Sequence, residues 1–140
     1  MPDAPRLYPT FRCRDAEAMI RWLCQHLGFR ERAVYRAEGK VKVKHAELVL
    51  GSSILMLGDA RDDAYGALVG DLAGRRTDGL YRAVEEPDAL HARLAAAGAR
   101  IEVPPFDTEY GSRDFGFRDP EGKLWWVGTY WPKADEPPPN

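Results

Sequence analysis

His45 and Glu47 are the residues of this 140-residue sequence whose types and spacing point most directly to chemistry. An imidazole titrates near neutral pH, and a carboxylate two positions along the same strand lies on the same side, so the pair could act as general acid and general base. A structural interpretation is stronger, because the same pair suits packing and hydrogen bonding, with Arg118 as an ion-pair partner of Glu47. We therefore expect ligand contact or a structural role ahead of direct chemistry.

The other chemistry-bearing residue types form no catalytic or metal-binding motif. Cys13 and Cys24 lie eleven positions apart, outside any C-x-x-C motif and without a histidine at zinc spacing, so two reduced thiols are expected. The sequence contains no glycine-rich phosphate loop, no serine nucleophile elbow and no Cys-His arrangement. We predict no cofactor and no covalent catalysis.

Composition and charge indicate which kinds of binding partner and which cellular compartment to expect. The sequence has 20 basic and 22 acidic residues, and the resulting net charge of −2 is too balanced to indicate a polyanionic partner such as nucleic acid. No window reaches eighteen apolar residues, and the first residues lack a basic start followed by an apolar run. These patterns favour a cytoplasmic protein with no nucleic acid partner and no membrane partner.

Hydrophobic periodicity and turn residues predict the same order of elements twice. The first helix starts at Asp15, a suitable N-cap, and runs to about Leu27, where Gly28 can end it in the left-handed conformation. The second helix begins near Pro87 and ends at Gly98. The predicted strands are Leu7 to Cys13, Arg30 to Ala37, Val41 to Leu50, Ser53 to Leu57, Leu80 to Val84, Arg100 to Val103, Arg113 to Arg118 and Leu124 to Thr129.

Equivalent glycines recur at a near-constant offset, as expected for two copies of one unit. Gly98 follows Gly28 by 70 positions, and Gly122 follows Gly51 by 71 positions. The sequence therefore predicts an α+β fold of two pseudo-symmetric β-α-β-β-β modules that form a concave cleft. We expect a single domain over residues 1–140, with module one at about 6–58 and module two at 79–131. A connector at 59–78, with a short helical turn near 67–72, joins the modules, and residues 132–140 form a loose tail.

Four segments of the chain resemble a known family. They are Asp15–Ala18, Leu27–Phe29, His45–Leu48 and Asp119–Trp125, the last being a D-P-x-G turn followed by an aromatic strand. With these segments the chain resembles the vicinal oxygen chelate superfamily, the group of glyoxalases, bleomycin resistance proteins and extradiol dioxygenases. It is most similar in kind to the bleomycin resistance-like and glyoxalase-like proteins. The resemblance implies a cleft that binds a small molecule, and a homodimer.

The resemblance also implies where a metal would be held. Enzymes of the superfamily usually bind a divalent metal through His and Glu side chains on four strands, and the corresponding positions here are Tyr8, Leu55, Gly79 and Trp126. Transition metals need imidazole, thiolate or carboxylate donors, which this set does not supply, and the neighbouring strand residues do not replace them. We therefore expect no metal site of the usual kind.

Strand alternation directs several aromatic residues toward the predicted cleft. Tyr8, Tyr81 and Trp126 have the cleft parity, and Tyr110 lies in a flanking loop. Aromatic walls suit stacking on a planar organic ligand, although the same rings could simply fill the space between the modules. The predicted ligand-binding residues are Tyr8, Thr10, His45, Glu47, Leu55, Tyr81, Tyr110, Arg118 and Trp126.

The sequence leaves three functions open. The leading hypothesis is metal-independent binding or sequestration of a small, planar or aromatic molecule, as the resemblance to antibiotic resistance proteins of the bleomycin type implies. The alternative is a glyoxalase-like lyase, isomerase or dioxygenase that uses a displaced metal or acid–base chemistry at His45, Glu47 and Tyr8. The third is a module that binds a protein partner through its dimer surface.

Overall fold

The structure, a computed structural model, describes residues 5–69, 78–135 and 137 of the chain. The chain divides into two compact units, residues 1–74 and 75–140. Each unit contains a four-stranded sheet and a helix packed on it, in the order strand, helix, strand, strand, strand. This order confirms the predicted α+β class and its two modules.

The first unit follows the predicted order closely. Its elements are β1 (Thr10–Cys13), α1 (Ala16–Leu27), β2 (Arg30–Arg36), β3 (Val43–Leu50), β4 (Ser53–Asp59) and the short helix α2 (Ala64–Val69). The sheet order is β1-β4-β3-β2, with β1 parallel to β4 and the other pairs antiparallel. Helix α1 begins where the Asp15 side chain accepts the backbone N–H of Ala18, and it ends at Gly28 with a φ of 75°. The helical turn predicted at 67–72 starts earlier, as α2, and residues 70–77 lie outside the described residues.

The second unit repeats this topology. Its elements are β5 (Leu80–Ala83), α3 (Pro87–Ala96), β6 (Arg100–Asp107), β7 (Arg113–Arg118) and β8 (Leu124–Gly128), and the sheet order is β5-β8-β7-β6. The predicted tail has no helix or strand at residues 132–135 and 137, and residues 136 and 138–140 lie outside the described residues. Across the described parts of the chain, no helix has the length and apolarity that a membrane span requires.

The D-P-x-G segment is a turn closed by the side chain of Asp119. Its Oδ1 accepts the backbone N–H groups of Glu121 at 2.9 Å and Lys123 at 3.0 Å, and its Oδ2 accepts the indole N–H of Trp125 at 2.9 Å. Gly122 has a φ of 86°, a conformation that favours glycine. The carboxylate thereby joins the turn to the first aromatic residue of β8.

Each sheet carries its helix on one face, and the opposite face is termed the far face. In the first sheet the helix-covered face is apolar: Ala46 pairs with Leu57 and Leu48 with Leu55, and none of these residues is more than 4% exposed. Because paired residues lie on the same face, the pairing also gives the far-face residues. They are Thr10, Arg12, Tyr35, His45, Glu47, Met56 and Gly58.

The structure corrects the predicted orientation of β4. The sequence predicts that Leu55 contacts the ligand, but Leu55 is 4% exposed and lies beside Leu48 on the helix-covered face. Met56, the next residue, lies on the far face opposite Glu47. A strand shifted by one residue reverses every side chain, so the prediction was wrong along the whole of β4.

The reason lies in the two hairpin turns, which differ in length. The β3–β4 turn contains residues 51–52, whereas the β7–β8 turn contains residues 119–123. The parallel pairs also differ, because Met56 follows its partner Thr10 by 46 positions and Trp126 follows Tyr81 by 45. The offset between the units is thus 71 positions from Thr10 to Tyr81 but 70 from Met56 to Trp126. A single constant offset cannot align all strands of the two units.

In the second sheet the predicted faces are correct. Phe115, Phe117, Trp125 and Val127 fill the helix-covered face, each at most 3% exposed. The far face contains Tyr81, Asp114, Gly116 and Trp126. Arg82 lies beside Val127 in the helix-facing register, and burial lowers the pKa of its guanidinium.

The register of β4 can be tested with two adjacent substitutions. We expect Leu55→Ala to lower the free energy of unfolding by about 2–5 kcal/mol, because it leaves a cavity under the helix. Met56→Ala, on the far face, should lower it clearly less. Urea denaturation of both variants measures the difference, and a larger loss for Met56→Ala would support the orientation predicted from the constant offset.

Candidate functional site

His45 and Glu47 lie side by side on the far face of the first sheet. His45 Nε2 is 3.0 Å from Glu47 Oε2, and Arg32 Nε is 3.6 Å from Glu47 Oε1. The ring of Tyr35 stacks on the imidazole with 6.2 Å between centroids. Since 42% of the His45 side chain is exposed, this pair could exchange a proton with a molecule bound on the same face.

A pocket of about 190 Å³ opens beside His45 within the first unit. It is lined by Thr10, Phe11, Arg12, Lys44, His45, Leu57, Gly58, Arg61 and Tyr65. Gly58 pairs with Arg12 across the β1–β4 ladder, and a Cβ at this position would come 2.7 Å from the Lys44 carbonyl oxygen. The lining at Gly58 is therefore bare backbone.

Two guanidinium groups at this pocket converge on the carboxylate of Asp63. Arg12 Nη1 and Nη2 donate to Oδ1 and Oδ2 at 3.3 and 3.2 Å, and Arg61 Nε donates to Oδ2 at 3.0 Å. The Gly66 backbone N–H donates to Oδ1 at 2.7 Å. Arg12 also lies over the ring of Tyr65, with 4.8 Å from Cζ to the centroid. These hydrogen bonds, above all those from Arg12, lower the pKa of Asp63 to about 2.

Trp126 occupies the far face of the second sheet in a fixed orientation. Its Nε1 donates to Asp114 Oδ2 at 2.8 Å, and Asp114 is 1% exposed. The six-membered part of the indole lies over Gly116, where a Cβ would come 2.7 Å from Cε3. The edge of Phe106 meets the same ring system at 6.0 Å between centroids. The hydrogen bond and the glycine together determine the plane of the indole.

The carboxylate of Asp114 also organises the rings around Trp126. It accepts hydrogen bonds from the Ser112 hydroxyl and from the Tyr110 hydroxyl, the latter at 3.3 Å. Tyr110 in turn meets Tyr130 edge to face at 6.0 Å, and the Tyr81 hydroxyl donates to the Tyr130 carbonyl oxygen at 2.7 Å. Burial and, to a smaller extent, the charge of Asp114 raise the pKa of the Tyr81 hydroxyl, which therefore stays a donor.

Several rings on or beside this face remain accessible. They are Tyr81, Phe106, Tyr110 and Tyr130, each between 37% and 58% exposed. Hydrogen bonds hold the hydroxyl groups of Tyr81 and Tyr110. Exposed rings that lie together form an apolar surface, and such surfaces commonly bind ligands or partners. The aromatic residues of the second unit therefore do more than fill its interior.

The structure groups most of the predicted ligand-binding residues in two places. His45 and Glu47 share the far face of the first sheet, as predicted. Tyr81, Tyr110 and Trp126 lie around Asp114 in the second unit. The sequence therefore predicts the correct faces for these residues but not the carboxylate that organises the second group.

Two predicted residues lie at the start of the first sheet. Thr10 is the first residue of β1 and lines the pocket of the first unit. Tyr8 precedes β1, and its hydroxyl donates to the carbonyl oxygen of Pro5 at 2.7 Å. A hydroxyl already used in this way is a poor candidate for acid–base chemistry.

Arg118 has a different ion-pair partner from the predicted one, Glu47. Its Nε lies 3.4 Å from Glu102 Oε1, while Glu47 pairs with His45 and Arg32 within its own unit. The strand pairing makes Gly116, not Arg118, the counterpart of Glu47, because β3 and β7 are related by 69 positions. The Glu47–Arg118 relation is therefore corrected for the same reason as the orientation of β4.

Sequence reasoning missed the residues that organise both places. Asp114 carries a detectable signal, since a carboxylate that directly precedes the aromatic residues of the strand Arg113–Arg118 is unusual unless it is hydrogen bonded. Arg61, Asp63 and Tyr65 give no such signal. They belong to the segment after β4, and only the folded chain brings them to Arg12.

A family model described as the Glyoxalase/Bleomycin resistance protein/Dioxygenase superfamily matches residues 7–127. The chain belongs to this superfamily. The resemblance inferred from the sequence motifs is thereby confirmed. No curated protein matched the chain.

Several solved structures are similar to this chain over most of its length. TioX from Micromonospora sp. ML1 is 28% identical, with a TM-score of 0.70 over 89% of this chain and 98% of that protein. A glyoxalase/bleomycin resistance protein/dioxygenase from Nocardioides is 26% identical, with a TM-score of 0.65 over 97% and 89%. The fosfomycin resistance protein FosX from Mesorhizobium loti is 18% identical over 91% and 92%, with a TM-score of 0.67, and supports the fold alone.

The residues at the superfamily's usual metal positions do not fit a metal ion. Leu55 faces the helix, Gly79 has no side chain, and the Trp126 N–H is a donor that is already bonded to Asp114. In the corrected register Met56 replaces Leu55, but a lone thioether does not hold a divalent metal. Among the residues that the structure describes, no three His, Cys, Asp or Glu side chains are grouped to bind a metal.

The ion pairs of Asp63 predict a pH dependence of stability. The pKa of Asp63 falls from 3.8 to about 2 in the folded chain, so its charged form contributes stability above the unfolded-state value. That contribution is lost as the pH falls from about 4 to about 2. We expect Asp63→Asn to lower the urea midpoint at about pH 6, and the difference from wild type to shrink toward pH 2.

Asp62→Asn is the matched control for this measurement, because it removes a carboxylate from the same segment without touching the Arg12 and Arg61 hydrogen bonds. A difference between wild type and Asp63→Asn that stays constant over this pH range would contradict the assignment.

Proposed function

We propose that the chain binds, and thereby sequesters, a small planar or aromatic organic molecule on the far face of the second sheet, without a metal ion. The observation that carries this proposal is the indole of Trp126, which is held by Asp114, supported by Gly116 and surrounded by accessible rings. An aromatic pair contributes about 0.5–1.5 kcal/mol beyond area burial. Several such rings together can hold a planar ligand.

The hydrogen bonding of Asp114 supports recognition rather than simple packing. Burying a carboxylate among aromatic rings is unfavourable unless donors surround it, and here Ser112, Tyr110 and Trp126 all donate to it. Apolar residues would fill the same space without this network. The network fixes the directions of rings that remain accessible, which reduces the entropy that a ligand must overcome on binding.

The superfamily itself is compatible with binding or catalysis, since its description names both resistance proteins and enzymes. The mismatch at the usual metal positions supports binding for this chain. Tyr81, Tyr110 and Trp126 are the residues we assign to ligand contact, and a homodimer in the cytoplasm is part of the same proposal.

One observation favours an enzyme as the second candidate. His45 Nε2 and Glu47 Oε2 are 3.0 Å apart on an accessible face, a geometry suited to acid–base catalysis by a lyase or isomerase. Metal analysis of protein purified without chelator, with wild type and His45→Ala side by side, tests the metal-dependent form of this candidate. A stoichiometric transition metal that is lost in His45→Ala would overturn metal-independent binding.

A thermal-shift screen against planar antibiotics, aromatic metabolites and divalent metals tests the proposed function. A bound ligand stabilises the folded chain by RT ln(1 + [L]/Kd), so we expect at least one planar organic compound to raise the melting temperature. Trp126→Ala should abolish that shift, because it removes the stacking surface. Gly116→Ala should weaken it, because its Cβ would displace the indole.

Trp22→Ala is the matched control, since Trp22 is a partly exposed tryptophan on α1 of the first unit. It should leave the ligand-induced shift unchanged. Equal losses in Trp22→Ala and Trp126→Ala would contradict the assignment of the far face, and a shift with metals alone would favour the enzyme.

A further inference from the structure

The pocket of the first unit contains more positive than negative charge. Arg12 and Arg61 supply two guanidinium groups, and Asp63 supplies the carboxylate that both of them bind. The nearby carboxylate of Asp59 is 7% exposed and accepts backbone N–H groups at both oxygens, including that of Val43 at 2.9 Å. One positive charge of the Arg12–Arg61–Asp63 cluster is therefore not balanced within the cluster.

Both guanidinium groups have donors beyond those that Asp63 uses. A guanidinium carries five N–H donors in a planar fork. Arg12 binds Asp63 through Nη1 and Nη2, and Arg61 uses Nε toward Asp63 and Nη1 toward the carbonyl oxygen of Lys44 at 2.9 Å. Within the described residues these bonds leave Arg12 Nε and Arg61 Nη2 for another acceptor.

The pocket also limits the size and shape of what could bind there. Its volume of about 190 Å³ lies below the usual range for drug-sized ligands, so a small molecule is indicated. Tyr65 and His45 contribute rings to the lining, and Gly58 contributes bare backbone. These groups suit the flat organic body of a small acid better than a fully polar anion.

We propose that Arg12 and Arg61 form a binding site for the carboxylate group of a small organic acid, and that Asp63 weakens this binding by neutralising one of the two positive charges. A further carboxylate balances the cluster and can accept hydrogen bonds from the remaining donors, Arg12 Nε and Arg61 Nη2. Gly66 holds Asp63 in place through its backbone N–H, so the internal carboxylate stays beside the bound acid. This inference does not rest on the aromatic site of the second unit.

Isothermal titration calorimetry of the full chain with sodium benzoate tests the proposal. We expect Asp63→Asn to bind benzoate about tenfold more tightly than wild type, because a like charge near the ligand is removed. Arg61→Gln should weaken binding by at least about tenfold, and Arg12→Lys should weaken it because a lysine keeps the charge but lacks the Nε–H donor assigned to the ligand. In NMR spectra, the Nε–Hε signals of Arg12 and Arg61 should shift on titration.

Arg32→Gln is the matched control, because Arg32 lies on β2 of the same sheet and pairs with Glu47 outside the pocket. It should leave benzoate binding unchanged. Absence of benzoate binding to both wild type and Asp63→Asn would overturn the proposal, as would an equal loss in Arg32→Gln. Equally tight binding of inorganic phosphate would overturn the assignment to a carboxylate, and weaker binding by Asp63→Asn would overturn the role of Asp63.

Discussion

A single helix packs on each four-stranded sheet, and this constraint decides which side chains are available for chemistry. Successive residues of a strand point to opposite faces, so the covered face takes apolar residues such as Leu48 and Phe117, both 0% exposed. The far face, which lies opposite that helix, can hold polar and charged residues. It holds Arg12 in the first unit and Asp114 with Trp126 in the second. Most residues of the candidate sites thus belong to strands, which hold side chains more rigidly than loops do.

Buried aspartates connect these strands to their surroundings, and they do so in two ways. Asp59 and Asp119 accept mainly backbone N–H groups and thereby fix a helix start and a hairpin turn. The hydrogen bonds of Asp114 instead come from the side chains of Ser112, Tyr110 and Trp126. A carboxylate that orients accessible rings adds little to the backbone framework. The Asp114 carboxylate instead orients the rings that form the accessible surface. For this reason we propose that this surface binds the ligand.

Local signals in the sequence are sufficient to predict the helices and strands. They are not sufficient to predict, for every strand, which side chains lie on which face of the sheet. The cap at Asp15 and the glycine at Gly28 determine α1 through contacts within a few residues, so the sequence predicts its ends correctly. The orientation of Leu55 depends on the length of a hairpin turn relative to its counterpart, and the glycine offset alone does not reveal that difference. The Arg12–Asp63 ion pair joins residues 51 positions apart, and no local pattern anticipates it.

The two units show how one topology supports two kinds of recognition. Strand pairing makes Glu47 the counterpart of Gly116, and Met56 the counterpart of Trp126. In the second unit the indole needs the bare backbone of Gly116, because any Cβ there would overlap the ring. In the first unit the same position holds Glu47, whose carboxylate carries the ion pairs of that face, and the slender side chain of Met56 lies opposite it. Two cross-strand positions therefore distinguish a charged far face from an aromatic one, while the sheet order and the covering helix stay the same.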